Sequence, residues 1–458
     1  MIILLNKNSH IHLIGIGGVS MSGIAEILAE RGYNVSGSDL QESKYFNLLK
    51  KHKIKLYLGH QADNILGADL IVKTSAIPTN NPELKAARKK GIKIVKRAEM
   101  LAYLMKDKKT IAVAGTHGKT TVTAMLAAIF KEAKKDPAVM VGGYLKELKG
   151  NIADGEGEYF ITEADESDGS FLYFEPDILL LNNLELDHPD FYKNLAEFMN
   201  IFERFANKND KEAFLLYNKD DQNLNNLFAS RKKSSSFSLN QANFSAKNIQ
   251  YNNFESSFEL YYLDQFVIKI ELSVPGEYNL YNALAAAAVS LKLNIDLTAL
   301  KSALKKFSGV GRRFDFKGKL LEGKVDLVDD YAHHPTEVKE LLKTVKNMNY
   351  SNIRVVFQPH RYSRTKRFLN DFSYSFLNAN QVYLTDIFSA SEQNKYKISL
   401  NDFAAEISKN SQVDCHYYSD FNEIKNKLLK EVKPGDIILT VGAGNITELA
   451  ESFLAGLN

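Results

Sequence analysis

Cysteine is nearly absent from this sequence, with Cys415 the only one. A single thiol excludes an intramolecular disulfide and any cysteine-built metal cage, and it suits a reducing compartment such as the cytoplasm. An excess of charge is missing too. Lys plus Arg number 58 against 55 Asp plus Glu, and no long basic run or interleaved aromatic strip offers a groove for nucleic acid. No apolar stretch approaches the ~20 residues that a membrane-crossing helix requires. The opening residues MIILLNKNSH carry neither a basic leader nor a small-residue cleavage site, so they read as a strand entering a fold. The expectation is a soluble cytoplasmic protein whose partners are neither nucleic acid nor membrane. No internal repeat is found.

What is present is ordinary globular composition, 45% apolar and 25% charged, which supports large buried cores. At 458 residues the chain exceeds the size at which one core stops growing, so two or three domains are expected. From residue 10 to about 105, β-rich runs (HIHLIG, VSGSD, DLIVKTS, IKIV) alternate with helical patterns, the signature of a parallel sheet flanked by helices. The polar stretch LMKDKKT at 104–110 marks a boundary, after which TIAVAG restarts the pattern, followed by EYFITEAD, DILLLNN and EAFLLYN. Residues 231–275 are Ser/Asn/Phe-rich and read as antiparallel strands with loops. Two helices then lead to FSGVGRRFD, beyond which VDLVDD, IRVVFQ, QVYLTD and DIILTVGAG alternate with helices again. The fold class expected is α/β in three domains. Residues 1–106 form a Rossmann-like parallel sheet. Residues 107–312 form a P-loop ATPase-like domain with extra antiparallel strands, and residues 313–458 a second Rossmann-like domain.

The segment AVAGTHGKTT places Gly115, Thr116, His117, Gly118, Lys119, Thr120 and Thr121 between an apolar strand and a good helix former. Glycines let such a loop wrap closely, amides and the helix N-terminus face negative charge, and Lys119 adds a point charge. The Thr120 hydroxyl is placed to bind magnesium. The spacing GxxGKT is shorter than the general phosphate-loop pattern but keeps its chemistry. ATP binding is the strongest inference from the residues alone.

A first glycine loop, LIGIGGVSMSG, holds Gly15, Gly17, Gly18 and Ser22, and Asp39 ends the next strand. Ser20 stands where a dinucleotide fingerprint wants its third glycine. The loop suits a dinucleotide, a nucleotide-sugar diphosphate or a purely structural turn. Two acidic clusters end strands: Glu163, Asp165, Glu166 and Asp168 in one, Glu185, Asp187 and His188 in the other. Ligands of open parallel sheets sit at the carboxyl ends of strands, so both clusters are candidates for cation and phosphate. Glu163 with Thr120 suits magnesium, and His188 a second, less hard site. Capping and solvated acids are the plain alternative.

Four motifs stand in one order: GIGG with MSGIAE; GTHGKTT; EADESDGSF with NLELDH; and DDYAHHPTE with QPHRYSRT. Together they resemble the Mur ligase family over nearly the whole chain, most closely its branch that adds L-alanine to UDP-N-acetylmuramate in peptidoglycan precursor synthesis. The resemblance implies an acid–amino-acid ligase that uses ATP and magnesium. Its first domain would take the UDP-sugar through Gly15, Gly17, Gly18, Ser22, Asp39 and Ser75. Lys119 would contact phosphates, Thr120 and Glu163 would hold one magnesium, and His188 the other. Asn282, Arg313 and Asp330 fall where the family contacts the nucleotide; His333, His360, Arg361 and Arg364 fall where this branch handles a carboxylate. Departures from the family pattern are Ser20, Tyr278 for a His, Leu186 for a small residue and Asn445 for an Asp. Sister enzymes carry a carbamylated lysine where Phe202 stands here, which favours the alanine-adding branch. A recycling ligase for a murein tripeptide, an NAD-linked oxidoreductase and a non-catalytic nucleotide scaffold are the competing readings.

Overall fold

The structure, a computed structural model, describes residues 5–145, 150–188, 191–209 and 213–455. Its contacts divide the chain into two compact units, one of Met1–Leu184, Met199–Phe237 and Ala285–Ala303, the other of Glu185–Phe198, Ser238–Leu284 and Leu304–Asn458.

The first unit holds two sheets. In the N-terminal sheet, β1 (His10–Ile14), β2 (Asn34–Asp39), β3 (Ile54–Leu58), β4 (Leu70–Lys73) and β5 (Lys93–Lys96) lie all parallel in the order β3-β2-β1-β4-β5. The second sheet comprises β6 (Lys109–Ala114), β7 (Ala138–Leu145), β8 (Gly150–Asp154), β9 (Tyr159–Glu163), β10 (Ile178–Leu181), β11 (Phe214–Asn218) and β12 (Ser234–Ser238). Their order is β12-β11-β10-β6-β9-β7-β8, parallel except for the antiparallel β7–β8 pair. Strands covered on both faces should be apolar throughout, and β10, ILLL, is buried at every position. The strand order places β6 beside both β9 and β10. The carboxyl ends of those three strands therefore converge, and they carry the phosphate loop, Glu163 and Asn182–Asn183.

In the second unit, β13 (Phe244–Asn252), β14 (Glu255–Tyr262) and β15 (Gln265–Leu272) form an antiparallel meander. The strands β16 (Asp315–Leu320), β17 (Val325–Asp330), β18 (Ile353–Phe357), β19 (Gln381–Leu384), β20 (Asp414–Tyr417) and β21 (Ile437–Val441) make the C-terminal sheet. Its order is β16-β17-β21-β18-β19-β20, with β16 alone antiparallel. Val328, Val355, Phe357, Leu384 and Leu439 pack under one set of helices; Leu327, Val356, Tyr383 and Ile438 pack under the other. Alternate residues of each strand thus serve opposite cores.

The α/β class and its parallel sheets are as expected. Three local expectations differ. The entering strand expected at MIILLNKNSH spans residues 1–10, of which 1–4 lie outside the described residues; residues 5–9 are not strand, and the strand proper begins at His10. Serine-rich β12, expected to be antiparallel, pairs parallel with β11. Strands β7, β8, β16 and β20 carried no clear alternation and were not expected. Phe202 is fully buried and meets Phe171 edge-on at 5.4 Å. Among the described residues no helix is long and apolar enough to cross a membrane.

One buried polar network sits inside the N-terminal sheet. Glu83, with no exposed surface, accepts from Ser38 Oγ at 2.7 Å and Asn64 Nδ2 at 2.6 Å. His60 Nδ1 lies 3.2 Å away and His12 Nε2 3.7 Å. Burial pushes the Glu83 carboxyl up, but the nearby His12 imidazole and the hydrogen bonds from Ser38 and Asn64 outweigh it and leave its pKa lowered. Glu83→Ala orphans these donors and should cost about 2–4 kcal/mol of unfolding free energy. Because the folded pKa is depressed, the ionic part of this stability is present above the ordinary glutamate range and lost as the pH falls through the folded value. Chemical denaturation of both proteins at neutral pH and at about pH 4 should show the difference shrinking in acid.

Candidate active site

The turn between β6 and the helix Lys119–Glu132 is built by two glycines with left-handed backbone, Gly115 at φ 131° and Gly118 at φ 81°. A Cβ on Gly115 would lie 2.9 Å from the Asn183 carbonyl oxygen, so only glycine allows this approach to the end of β10. The same strand end clamps the loop. Thr116 N donates to Asn183 O at 3.1 Å and His117 N to Asn183 Oδ1 at 2.7 Å. The His117 carbonyl accepts from both Asn182 Nδ2 at 3.1 Å and Asn183 Nδ2 at 3.0 Å. The amides of Thr116 and His117 are therefore committed to β10. Those of Lys119, Thr120 and Thr121, in the first helical turn, have no intrahelical acceptor to satisfy and belong to the anion-binding end of the helix.

Lys119 Nζ turns back over the loop, donating to Gly115 O at 2.5 Å, Thr116 O at 3.2 Å and Glu166 Oε1 at 2.9 Å. Burial works against its ammonium, but the carboxylates of Glu166, Asp165 and Glu163 outweigh this and hold the pKa above its ordinary value. Glu163, at the end of β9, accepts from Gly142 N of β7 at 2.6 Å and from the Thr120 hydroxyl. Burial nevertheless pushes its carboxyl up, despite Gly142, Lys119 and Thr120. Three carboxylates around one ammonium leave negative charge in excess, and Arg97 Nη2 lies 3.9 Å from Asp165 and 3.4 Å from Ser170 Oγ. An excess of hard oxygen donors beside the Thr120 hydroxyl fits a divalent cation such as magnesium.

In the first glycine loop, Gly15 and Ile16 donate to Ser38 O at 2.8 and 3.1 Å, and Gly17 N donates to Asp39 Oδ2 at 2.8 Å. Asp39 Oδ1 takes Leu40 N at 2.8 Å, so this side chain shapes the loop. Ser22 is buried and its hydroxyl donates to Val19 O at 2.8 Å, a helix-internal bond. Ser75 is exposed just beyond β4.

The remaining candidates belong to the second unit. Asp330 ends β17 and accepts from Phe314 N and Ala332 N, each at 2.7 Å, while burial raises its pKa to about 6. Arg313 reaches Glu337 Oε1 at 3.3 Å and lies over the Tyr331 ring. Asn282 is buried and donates to Asn279 Oδ1 at 3.2 Å. Tyr278, which replaces a common His, is a neighbour of Asp330 and Arg313, and burial raises its pKa. His188 has φ 54° and its Nε2 lies 3.8 Å from Asp187 Oδ2. His333 and His360 meet edge-on at 5.9 Å, and burial is the largest cause lowering them to about 3 and about 4. The fork of Arg364, expected to meet a substrate carboxylate, already holds one. Its Nε and Nη2 lie 3.0–3.1 Å from the oxygens of buried Asp187. Arg361 lies beside it with φ 67° and its Nη1 3.9 Å from Glu392.

Sequence reasoning missed three groups: Asn182 and Asn183 as loop clamps, Glu166 as the counter-ion of Lys119, and Asp187 as the partner of Arg364. The neighbouring asparagines at a strand end and the unbroken run EADE were the only signals.

Two outcomes follow. Asn183→Ala removes two side-chain bonds to His117 and should lower kcat/KM for nucleotide by about 10- to 100-fold, measured by steady-state kinetics, with little change in thermal midpoint. His333 and His360 bind protons more weakly folded than unfolded, so stability should rise with pH from their lowered values up to the ordinary histidine range and then level off. Imidazole resonances followed by NMR should show both neutral at pH about 6.

The relationships of the chain agree with this geometry. Family models match in order along it: the Mur ligase family catalytic domain over residues 10–109, the Mur ligase middle domain over 113–290 and the Mur ligase glutamate ligase domain over 312–444. It is 44% identical over 448 residues to the UDP-N-acetylmuramate–L-alanine ligase of Clostridium acetobutylicum, covering 97% of each chain. It is 42% identical to the enzyme of that name from Caldanaerobacter subterraneus, covering 98% of each. The crystal structure of UDP-N-acetylmuramate-alanine ligase from Thermotoga maritima superposes with a TM-score of 0.82 at 29% identity, over 98% of this chain and 99% of that one. A murein peptide ligase from Psychrobacter arcticus, 22% identical with a TM-score of 0.71 over 98% of this chain and 99% of that one, shares the fold. With its whole length accounted for in this way, the chain belongs to the Mur ligase family.

Proposed function

We propose that this protein joins L-alanine to the lactyl carboxylate of UDP-N-acetylmuramate at the expense of ATP, in the cytoplasm, as a step of peptidoglycan precursor synthesis. The observation that carries this reading is the phosphate loop whose Lys119 and Thr120 face Glu163, in a chain similar end to end to L-alanine ligases. The buried Phe202 leaves no place for the lysine of the sister branches.

In this scheme a lactyl carboxylate oxygen attacks the γ-phosphorus of ATP, the bond to the β,γ-bridging oxygen breaks, and ADP leaves. The amine of L-alanine then attacks the acyl carbon, and phosphate departs as the amide forms. Phosphoryl transfer asks a protein mainly to position and neutralise anions. The amides of the helix start and Lys119, released from Glu166, take the phosphates. Thr120 and Glu163 would hold one magnesium and His188 the other, and the ions would supply neutralisation of the phosphate charge. Gly115, Thr116, His117, Gly118, Thr121, Asn282, Arg313 and Asp330 frame the nucleotide. Gly15, Gly17, Gly18, Ser22, Asp39 and Ser75 frame the UDP-sugar. His333, His360 and Arg361 surround the amino-acid carboxylate, with Arg364 beside them held on Asp187, and the two histidines, neutral at pH 7, serve as hydrogen-bonding groups. The domains run over 1–106, 107–312 and 313–458. The segment GVGRRFD, with Gly309, Arg312 and Phe314 all at positive φ, is the hinge on which the last domain closes to exclude water from the acyl phosphate.

The test is phosphate release from ATP and magnesium with UDP-N-acetylmuramate, comparing L-alanine, glycine, L-serine and the murein tripeptide, with the product mass checked. Release that requires the nucleotide sugar and is fastest with L-alanine is expected. Turnover with the tripeptide alone would make this a recycling ligase. Lys119→Ala should abolish ligation, a loss of at least ~1000-fold in kcat, while UDP-N-acetylmuramate still binds in calorimetry. Unchanged turnover would remove Lys119 from the mechanism.

A further inference from the structure

The helix Val19–Glu30 that follows the first glycine loop lies along β8, held at both ends and the middle. At its start, Asn151 Nδ2 of β8 donates to Val19 O at 2.8 Å, and Asn151 is only 4% exposed. In its second turn, Gly23 lies so close to β8 that a Cβ there would sit 2.9 Å from Ile152 Cδ1. Just past its end, Arg31 grips Asp154 of β8 through Nε and Nη2, at 2.9 and 2.8 Å. Strand β8 pairs antiparallel with β7, from Ala138 opposite Asp154 to Leu145 opposite Gly150. Strand β7 in turn gives Gly142 N to Glu163 Oε1, and a Cβ at Gly142 would press to 3.1 Å from Glu163 Oε2. Glu163 holds the Thr120 hydroxyl.

A path therefore runs from the carbonyl of Val19, next to Gly18, to the carboxylate beside the phosphate loop: it passes through Asn151, crosses from β8 to β7 at the Ile152–Met140 pair, and reaches Gly142 along β7, where the ladder is irregular between Met140 and Leu145. A helix start that binds a diphosphate is fixed by what holds its first residues, and a buried amide donating to the Val19 carbonyl does this at the loop's edge. From this geometry we infer that the β7–β8 pair couples the nucleotide-sugar loop to the ATP loop, with Asn151 as a positioning residue at one end and Gly142 at the other. The inference rests on the substrates proposed above. Ordering one loop by its ligand holds Asn151, β8 and β7 in register, and Glu163 is then already placed for the second ligand. The two ligands should consequently raise each other's affinity, by equal factors.

The experiment is calorimetric titration of the full chain with UDP-N-acetylmuramate, with and without a non-hydrolysable ATP analogue and magnesium, and the reverse titration. In the wild type, each ligand should tighten the other by about tenfold. Asn151→Ala should cut this factor to about twofold or less while leaving the affinity for the analogue alone unchanged, and Gly142→Ala should cut it from the other end. A thermal midpoint near that of the wild type shows that each variant is folded; if one is not, the other decides. A wild type that binds both ligands without mutual effect overturns the coupling and leaves the proposed function standing. Variants that keep the full factor overturn the role of this path. A wild type that binds neither ligand overturns both readings.

Discussion

Much of the proposed chemistry depends on how tightly the chain reverses after β6. Gly115 runs against the backbone of Asn183 at a distance no other residue permits, and the loop's own polar groups must then be satisfied locally. The end of β10 does this by taking two loop amides and donating twice to the His117 carbonyl. An exposed loop would pay for its shape with conformational entropy when a triphosphate arrives. A loop pinned to a central strand has already lost it, so the helix start is aimed before nucleotide binds. The clamp also divides the labour within GTHGKTT, since the amides of Thr116 and His117 maintain the turn while those of the first helical turn face outward.

The charge around Lys119 follows from the same reversal. Folded back over Gly115 and Thr116, the ammonium meets buried Glu166, and Glu163 stands near enough to act on it. Charges drawn together in a partly dry site are costly unless they balance, and here the carboxylates outnumber the cation. Nucleotide alone would deepen the imbalance. A divalent cation arriving with it would relieve Glu163, whose carboxyl is pushed up by burial, and would let Lys119 exchange Glu166 for phosphate. In the proposed reaction, metal and nucleotide would therefore be better accommodated together than separately.

What could be read from the sequence was what is local. A strand, two glycines, a lysine and a threonine within ten residues define the phosphate loop, and apolar runs such as ILLL and IILTV can only be buried parallel strands. Strands with mixed composition hid. GNIAD of β8 and DCHY of β20 lack a continuous apolar face, and SSSFS of β12 carries no sign of its parallel pairing with β11. The clamp by Asn182 and Asn183 hid for another reason. An asparagine at a strand end is unremarkable until the carbonyl 65 residues earlier lies against it. Residue types announce chemistry, but only the sheet order says which partner each will meet.

The pair Arg364–Asp187 shows where that limit matters most, because the two residues are 177 positions apart. An arginine in QPHRYSRT suggests a fork awaiting a substrate carboxylate, yet the fork already grips a buried aspartate from NLELDH with near-bidentate geometry. The arginine beside Asp187 holds that carboxyl far below the ordinary carboxylate range, against the burial that would raise it. A guanidinium so committed has little reason to release its partner for another carboxylate of equal charge, since removing one member of a buried pair costs more than a surface contact returns. Arg361 is the better placed of the two to meet an amino-acid carboxylate. It is half-exposed, its Nη1 lies 3.9 Å from Glu392, and it holds a left-handed backbone that a non-glycine residue keeps only under local constraint, here with a bond from its amide to the Phe388 carbonyl. Arg364 stands one step back, fixing Asp187, whose Oδ1 accepts from the His188 amide at 2.7 Å.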